Sequence, residues 1–154
     1  MLRQETMKYG NKIEINLPLE QMIEKFDNPN NLKKWMPGLL SFEHLSGDPG
    51  QTGAKSKLKF QMGKRQMEMV ETITVRNLPH EFSGTYEAPG VFNIVKNKFK
   101  SLPGNKTEWH AENEFQFKNL TMKIMGFLMP GMFKKQSMVY LTKFKEFAEG
   151  NSSN

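Results

Sequence analysis

Between residues 57 and 118, apolar and polar side chains alternate with a period of two, and the alternation restarts after each of a series of short turn signals. Leu58, Phe60 and Met62 share one parity against Lys57, Lys59 and Gln61. Met67, Met69, Ile73 and Val75 stand against Gln66, Glu68, Thr72, Thr74 and Arg76. Phe82 and Tyr86 stand against Glu81, Ser83, Thr85 and Glu87. Val91, Val95 and Phe99 follow more raggedly, and then Trp109, Ala111, Phe115 and Phe117 oppose Glu108, His110, Glu112, Glu114, Gln116 and Lys118. Successive side chains of a strand point to opposite faces, so these runs predict half-buried strands. The runs are set off by Gly47-Asp-Pro-Gly50, Gly63-Lys64, Asn77-Leu-Pro79, Ala88-Pro-Gly90 and Pro103-Gly-Asn105, all built from residues that turns favour. Connections this short join antiparallel neighbours. The chain therefore predicts an antiparallel sheet with one charged, wet face and one face of Phe, Met and Trp that something must cover.

The two ends supply the cover. Ile13, Ile15 and Leu17 alternate along a first strand, and Pro18 can open a helix carrying Leu19, Met22, Ile23 and Phe26 at helical spacing. Asp27-Asn-Pro29 breaks it, Asn30 to Met36 can form a short second helix, and Pro37-Gly38 ends that one. From Met132 onward, Phe133, Tyr140, Leu141, Phe144, Phe147 and Ala148 fall on one helical stripe, with Lys135, Thr142, Lys145 and Glu146 on the far side. Pro130 crowds the carbonyl four residues back, which belongs to Gly126, so a kinked helix running on from Met122, Met125 and Met129 is compatible with the sequence. Residues 1–150 are expected to form one domain and 151–154 a disordered tail.

Composition excludes several chemistries. The chain has no cysteine, which removes disulfides and thiolate catalysis, and its 154 residues carry a net charge of +6. Mean hydropathy is -0.63 and no apolar run has the length of a membrane span. The N-terminal MLRQETMKYGN lacks the apolar stretch of a signal peptide, so a cytoplasmic location is expected. Only Arg3, Arg65 and Arg76 are arginines, and lysine lacks the bidentate fork that reads bases and phosphates. The positive charge is expected to be a solvated surface, with no specific nucleic-acid partner and at most transient membrane-surface contact through Lys123, Lys134 and Lys135.

The order is strand, two short helices, an antiparallel meander and a long C-terminal helix. Asn31-Leu-Lys-Lys-Trp-Met-Pro-Gly38 closes the helix pair, Gly47-Asp-Pro-Gly-Gln-Thr-Gly53 leads into a strand, and Met67-Glu-Met-Val-Glu71 precedes the Leu78-Pro79 turn. Over about residues 7 to 149 this resembles the START-related SRPBCC superfamily, labelled polyketide cyclase/dehydrase and lipid transport. The resemblance implies an α+β helix-grip fold, in which a curved antiparallel sheet wraps a long C-terminal helix, with two short helices after the first strand. It also implies a deep cavity for a lipid, quinone or polyketide-like molecule. A minority of members catalyse cyclisation or dehydration, and no catalytic set is shared across the superfamily.

Parity then selects candidate ligand-binding residues. On the sheet these are Phe60, Met62, Met69, Ile73, Val95 and Trp109, and on the C-terminal segment Met125, Met129, Phe133 and Tyr140. Methionine suits an adaptable apolar wall, although Met and Phe at helical spacing also read as plain core. Glu71 is the candidate acid or base, since the alternation puts it on the apolar face and burial raises a carboxyl pKa. A bulge returning it to solvent, or a pair with Arg65 or Lys64, are the competing readings. Asn93, Asn97 and Asn113 share that inward parity, and with the Tyr86 hydroxyl they are the polar groups an apolar pocket needs. Trp35, Trp109 and Tyr86 suit stacking on a flat ligand or, equally, core packing.

His44, His80 and His110 have no partners at metal-ligand spacing, so neither metal nor cofactor is expected. Gly50-Gln-Thr-Gly-Ala-Lys-Ser56 departs from a phosphate loop, because Ala54 intrudes before Lys55 and a strand follows. The expected function is binding of a hydrophobic small molecule by a monomer or dimer. The alternatives are a cyclase or dehydratase using Glu71, and a basic module associated with protein or RNA.

Overall fold

The computed structural model describes residues 6–119 and 130–150. Strand β1 (Thr6–Ile15) leads into α1 (Leu19–Phe26), a 3-10 turn (Pro29–Asn31) and α2 (Leu32–Trp35). The meander follows: β2 (Leu39–Ser46), β3 (Lys55–Met62), β4 (Arg65–Asn77), β5 (Glu81–Ala88), β6 (Val91–Leu102) and β7 (Lys106–Phe117). The last described element is helix α3 (Pro130–Ala148). The strands form one antiparallel sheet in the order β1-β7-β6-β5-β4-β3-β2. This is the helix-grip fold expected from the sequence. The stretch holding Met122, Met125 and Met129, over which the sequence allows a kinked helix, lies outside the described residues, as does 151–154, and the described part of α3 runs from Pro130 to Ala148.

Local chemistry explains the boundaries. Pro18 donates no hydrogen bond, but its carbonyl accepts from Met22 N at 3.0 Å and so opens α1. Asn28 Oδ1 accepts from Asn30 N at 3.0 Å and caps the 3-10 turn. Gly38 turns the chain into β2 with φ at 82°, and a Cβ there would stand 2.5 Å from the carbonyl oxygen of Gln61. Only glycine lets these backbones approach.

Helix α3 buries Phe144, Leu141 and Ala148 against the sheet and the short helices. Phe144 meets Trp35, Trp109 and Phe26 edge to face, with ring centroids 5.1, 5.3 and 5.9 Å apart. Burying side chains of this size contributes about 2 kcal/mol each before ordering costs. Polar ties fix the helix to β1: the Tyr9 hydroxyl bonds Ser137 Oγ and the Phe133 carbonyl, and Asn11 Nδ2 donates to the Lys134 carbonyl at 3.2 Å. Lys145, expected on the far side of the helix, instead reaches back to the Glu14 carbonyl at 2.7 Å and to Glu149 at 2.8 Å.

Two departures from strict alternation are informative. A bulge lies between Ile73 and Val75 in the β4–β5 register. It breaks the parity that placed Val75 with Ile73: Val75 is exposed, whereas Arg76 pairs in register with the inward Phe82. Arg76 then forks onto Asp27 at the end of α1, at 2.7 and 2.6 Å, and reaches the Gly50 carbonyl. The second departure is β2 itself, which carries register shifts at Leu39/Ser41 and His44/Ser46. Those shifts scramble its period, so no alternation announced it as a strand.

Candidate functional site

The inward face of the sheet is apolar at both ends and polar in the middle. At one end Phe60 is buried with Leu39 and Leu58, and Met69, Tyr86 and Tyr140 pack on that cluster. At the other, Trp109 is buried among Phe26, Phe99 and Phe144. Toward the start of α3, Phe133 packs on Phe115 and Phe117, with centroids 5.1 and 5.7 Å away.

Glu71 occupies the middle. The β4 bulge comes after it, so the register through Glu71 is unbroken: it faces Ser56 on β3 and Tyr86 on β5. Among the described residues its partner is neither Arg65 nor Lys64; the Tyr86 hydroxyl donates to Glu71 Oε2 at 2.7 Å. Burial raises the Glu71 carboxyl above its ordinary range, and the hydrogen bond from Tyr86 opposes that rise. The Tyr86 phenol is pushed well up, first by burial and then by the adjacent Glu71 charge. Tyr140 from α3 adds to that effect, and its own hydroxyl is raised by burial. The arrangement sets a carboxyl that can hold or release a proton beside two phenols that stay protonated. It can accept from or donate to a ligand oxygen.

The asparagines divide. Asn97 Oδ1 accepts from Trp109 Nε1 at 2.9 Å, which draws both residues into the aromatic core. Asn93 Nδ2 donates to Asn113 Oδ1 at 3.3 Å and to the Glu114 carbonyl at 3.1 Å, and Asn93 faces Tyr86 across the β5–β6 pair. Ile73 is buried beside the bulge and Val95 is half-buried opposite Gly84. Met62 stands apart from these residues, next to the Gly63-Lys64 turn and 49% exposed. Trp35 is buried against Trp109 and Phe144. Met125 and Met129 lie outside the described residues. Sequence reasoning missed Ser56 and His44, which the register aligns with Glu71 on the same face. For Ser56 the signal existed, since it continues the parity of Leu58 and Phe60.

A depression of about 350 Å³ lies elsewhere, on the charged face, where Lys8, Gly10, Ile94, Lys96, Glu112 and Glu114 line it. Lys8 and Glu114 pair across it at 3.5 Å. Such a lining suits water better than an apolar molecule. Among the described residues no three His, Asp or Glu side chains gather as a metal site, and no helix is long and apolar enough to cross a membrane.

Comparison with known proteins gives the same architecture. The family model described as "Polyketide cyclase / dehydrase and lipid transport" matches residues 7–146. The Zhui aromatase/cyclase from Streptomyces sp. R1128 superposes with a TM-score of 0.77 at 11% identity, covering 94% of each chain. Norcoclaurine synthase from Thalictrum flavum, in complex with dopamine and hydroxybenzaldehyde, gives 0.71 at 14% identity, covering 98% of this chain and 91% of that one. Ara h 8.0201 gives 0.74 at 12% identity, covering 95% and 99%. At these identities the likeness is one of fold. No curated protein matches the sequence.

Proposed function

The chain belongs to the polyketide cyclase/dehydrase and lipid transport family, and from that premise we propose that it binds an apolar small molecule between the inward sheet face and α3, with Glu71 and Tyr86 as the polar anchor. The observation that carries this reading is the Tyr86-to-Glu71 hydrogen bond of 2.7 Å, set among Met69, Phe60, Ile73 and Tyr140. A charged or ionisable group is costly on an apolar wall unless something pairs with it. A ligand hydroxyl or carbonyl would complete the bonding of this pair, while the apolar body of the ligand is withdrawn from water at about 25 cal/mol per Å² before ordering costs. In this reading residues 1–150 act as one unit located in the cytoplasm. Phe133 and Val95 extend the apolar wall, and Asn113 steadies Asn93.

A second reading has one observation in its favour: burial raises the Glu71 carboxyl, which suits a general acid or base. It makes the protein a cyclase- or dehydratase-type enzyme with Glu71 as the proton-transfer group. Native mass spectrometry of the protein as purified, with solvent extraction of what is released, tests the binding reading. A discrete co-purifying mass absent from Glu71→Gln supports it. A bare mass, together with no uptake of a hydrophobic fluorescent probe, overturns it.

A further inference from the structure

The strand register lines up five polar side chains in one row across the inward face. His44 on β2 faces Ser56 on β3, Ser56 faces Glu71 on β4, Glu71 faces Tyr86 on β5, and Tyr86 faces Asn93 on β6. The rows on either side are apolar. Phe42, Leu58 and Met69 form one of them, and Ala54, Ile73, Gly84 and Val95 form the other. The polar strip is thus one residue wide. Ser56 within it is buried, and the strip finishes at an exposed imidazole on the edge strand.

A strip of this kind suits a molecule lying across the strands with its oxygens along one edge. Resting on the anchor role proposed above for Glu71, we infer that His44 is a second polar contact for the ligand, and that the site takes an elongated apolar molecule carrying an oxygen at each end. Neighbouring strands lie about 4.8 Å apart, so His44 and Glu71, two strands apart, are separated by roughly 10 Å. One end of the ligand bonds Glu71 and Tyr86. The apolar body spans β3, and the other end accepts a hydrogen bond from the His44 imidazole on the edge strand. An imidazole carries an N–H donor in either of its forms, so the contact needs only an accepting oxygen on the ligand.

The test is displacement of the fluorescent probe 1-anilinonaphthalene-8-sulfonate from the full chain by ω-hydroxyoctanoate, octanoate and octanol. A second hydrogen bond at the far end is expected to make ω-hydroxyoctanoate bind about tenfold more tightly than either single-ended compound. His44→Ala removes that advantage and leaves octanol unchanged; because His44 is exposed, the replacement leaves the core intact. Equal affinities in the wild-type protein, or an advantage that survives His44→Ala, overturn the inference alone when octanol still binds in a Glu71-dependent manner. Failure of all three compounds to displace the probe overturns the anchor role of Glu71 and this inference together.

Discussion

Tyr86 gives its phenolic hydrogen to Glu71 Oε2 across 2.7 Å, and the two residues sit directly opposite each other on β4 and β5. The pair converts a carboxyl on an apolar wall from a liability into a directional site. Its protonation is the first quantity to measure. Burial raises the Glu71 carboxyl above 4.5 in the folded state. The folded protein therefore holds this proton more tightly than the unfolded chain does. The associated stability is fully present below the unfolded value and is lost as pH rises through the folded one. Carboxyl-carbon NMR should give a Glu71 midpoint above 4.5. The melting temperature of Glu71→Gln should gain on that of wild type as pH rises through the same window, and a midpoint at or below 4.5 contradicts the burial argument.

Tyr86→Phe removes the donor that, among the described residues, favours the ionised carboxylate. The Glu71 midpoint should move further up, and folding stability at neutral pH should fall by about 1–3 kcal/mol, the usual range for leaving a buried acceptor unmatched. NMR titration alongside urea unfolding separates the two effects. A midpoint that moves down indicates that the hydroxyl was not stabilising the charge.

Phe144 is fully buried where α3 meets Trp35, Trp109 and Phe26. Phe144→Ala should cost about 3–5 kcal/mol, because the three aromatic side chains around the gap cannot collapse into it. The denaturant midpoint reads this directly. A loss below about 1 kcal/mol would mean that α3 is not gripped at this point.

The Arg76 fork onto Asp27 joins the end of α1 to the β4 bulge and the Gly50 carbonyl. Arg76→Lys keeps the charge and loses the fork, so it should destabilise by about 1–2 kcal/mol. Because the pair is only partly exposed, added salt should recover little of the difference. Urea unfolding at low and high salt checks both statements.

Much of this architecture was readable from single residues and their parity. Strands β3 to β7, α1 and α3 follow from period-two and helical spacing, and Glu71 was placed inward by counting from Met69. The same counting failed at Val75 and Arg76, because one extra residue at the bulge exchanges the faces beyond it. It failed again at β2, where two register shifts remove the period. Asn97 and Trp109 were both read as inward, but nothing in the sequence showed that they bond to each other, since 12 positions separate them.

The sequence by itself determined the sheet, its two faces, the helix that covers it and the family to which the chain belongs, because periodicity and turn residues act locally and survive without knowledge of partners. The tertiary structure alone decided which inward side chains meet. Register places Tyr86, 15 positions along the chain, on Glu71, and packing brings Tyr140 from α3 over the pair. Those contacts depend on where strands stop, slip and bulge. A displacement of one residue turns a side chain to the other face, and the chemistry of the candidate site follows from that placement.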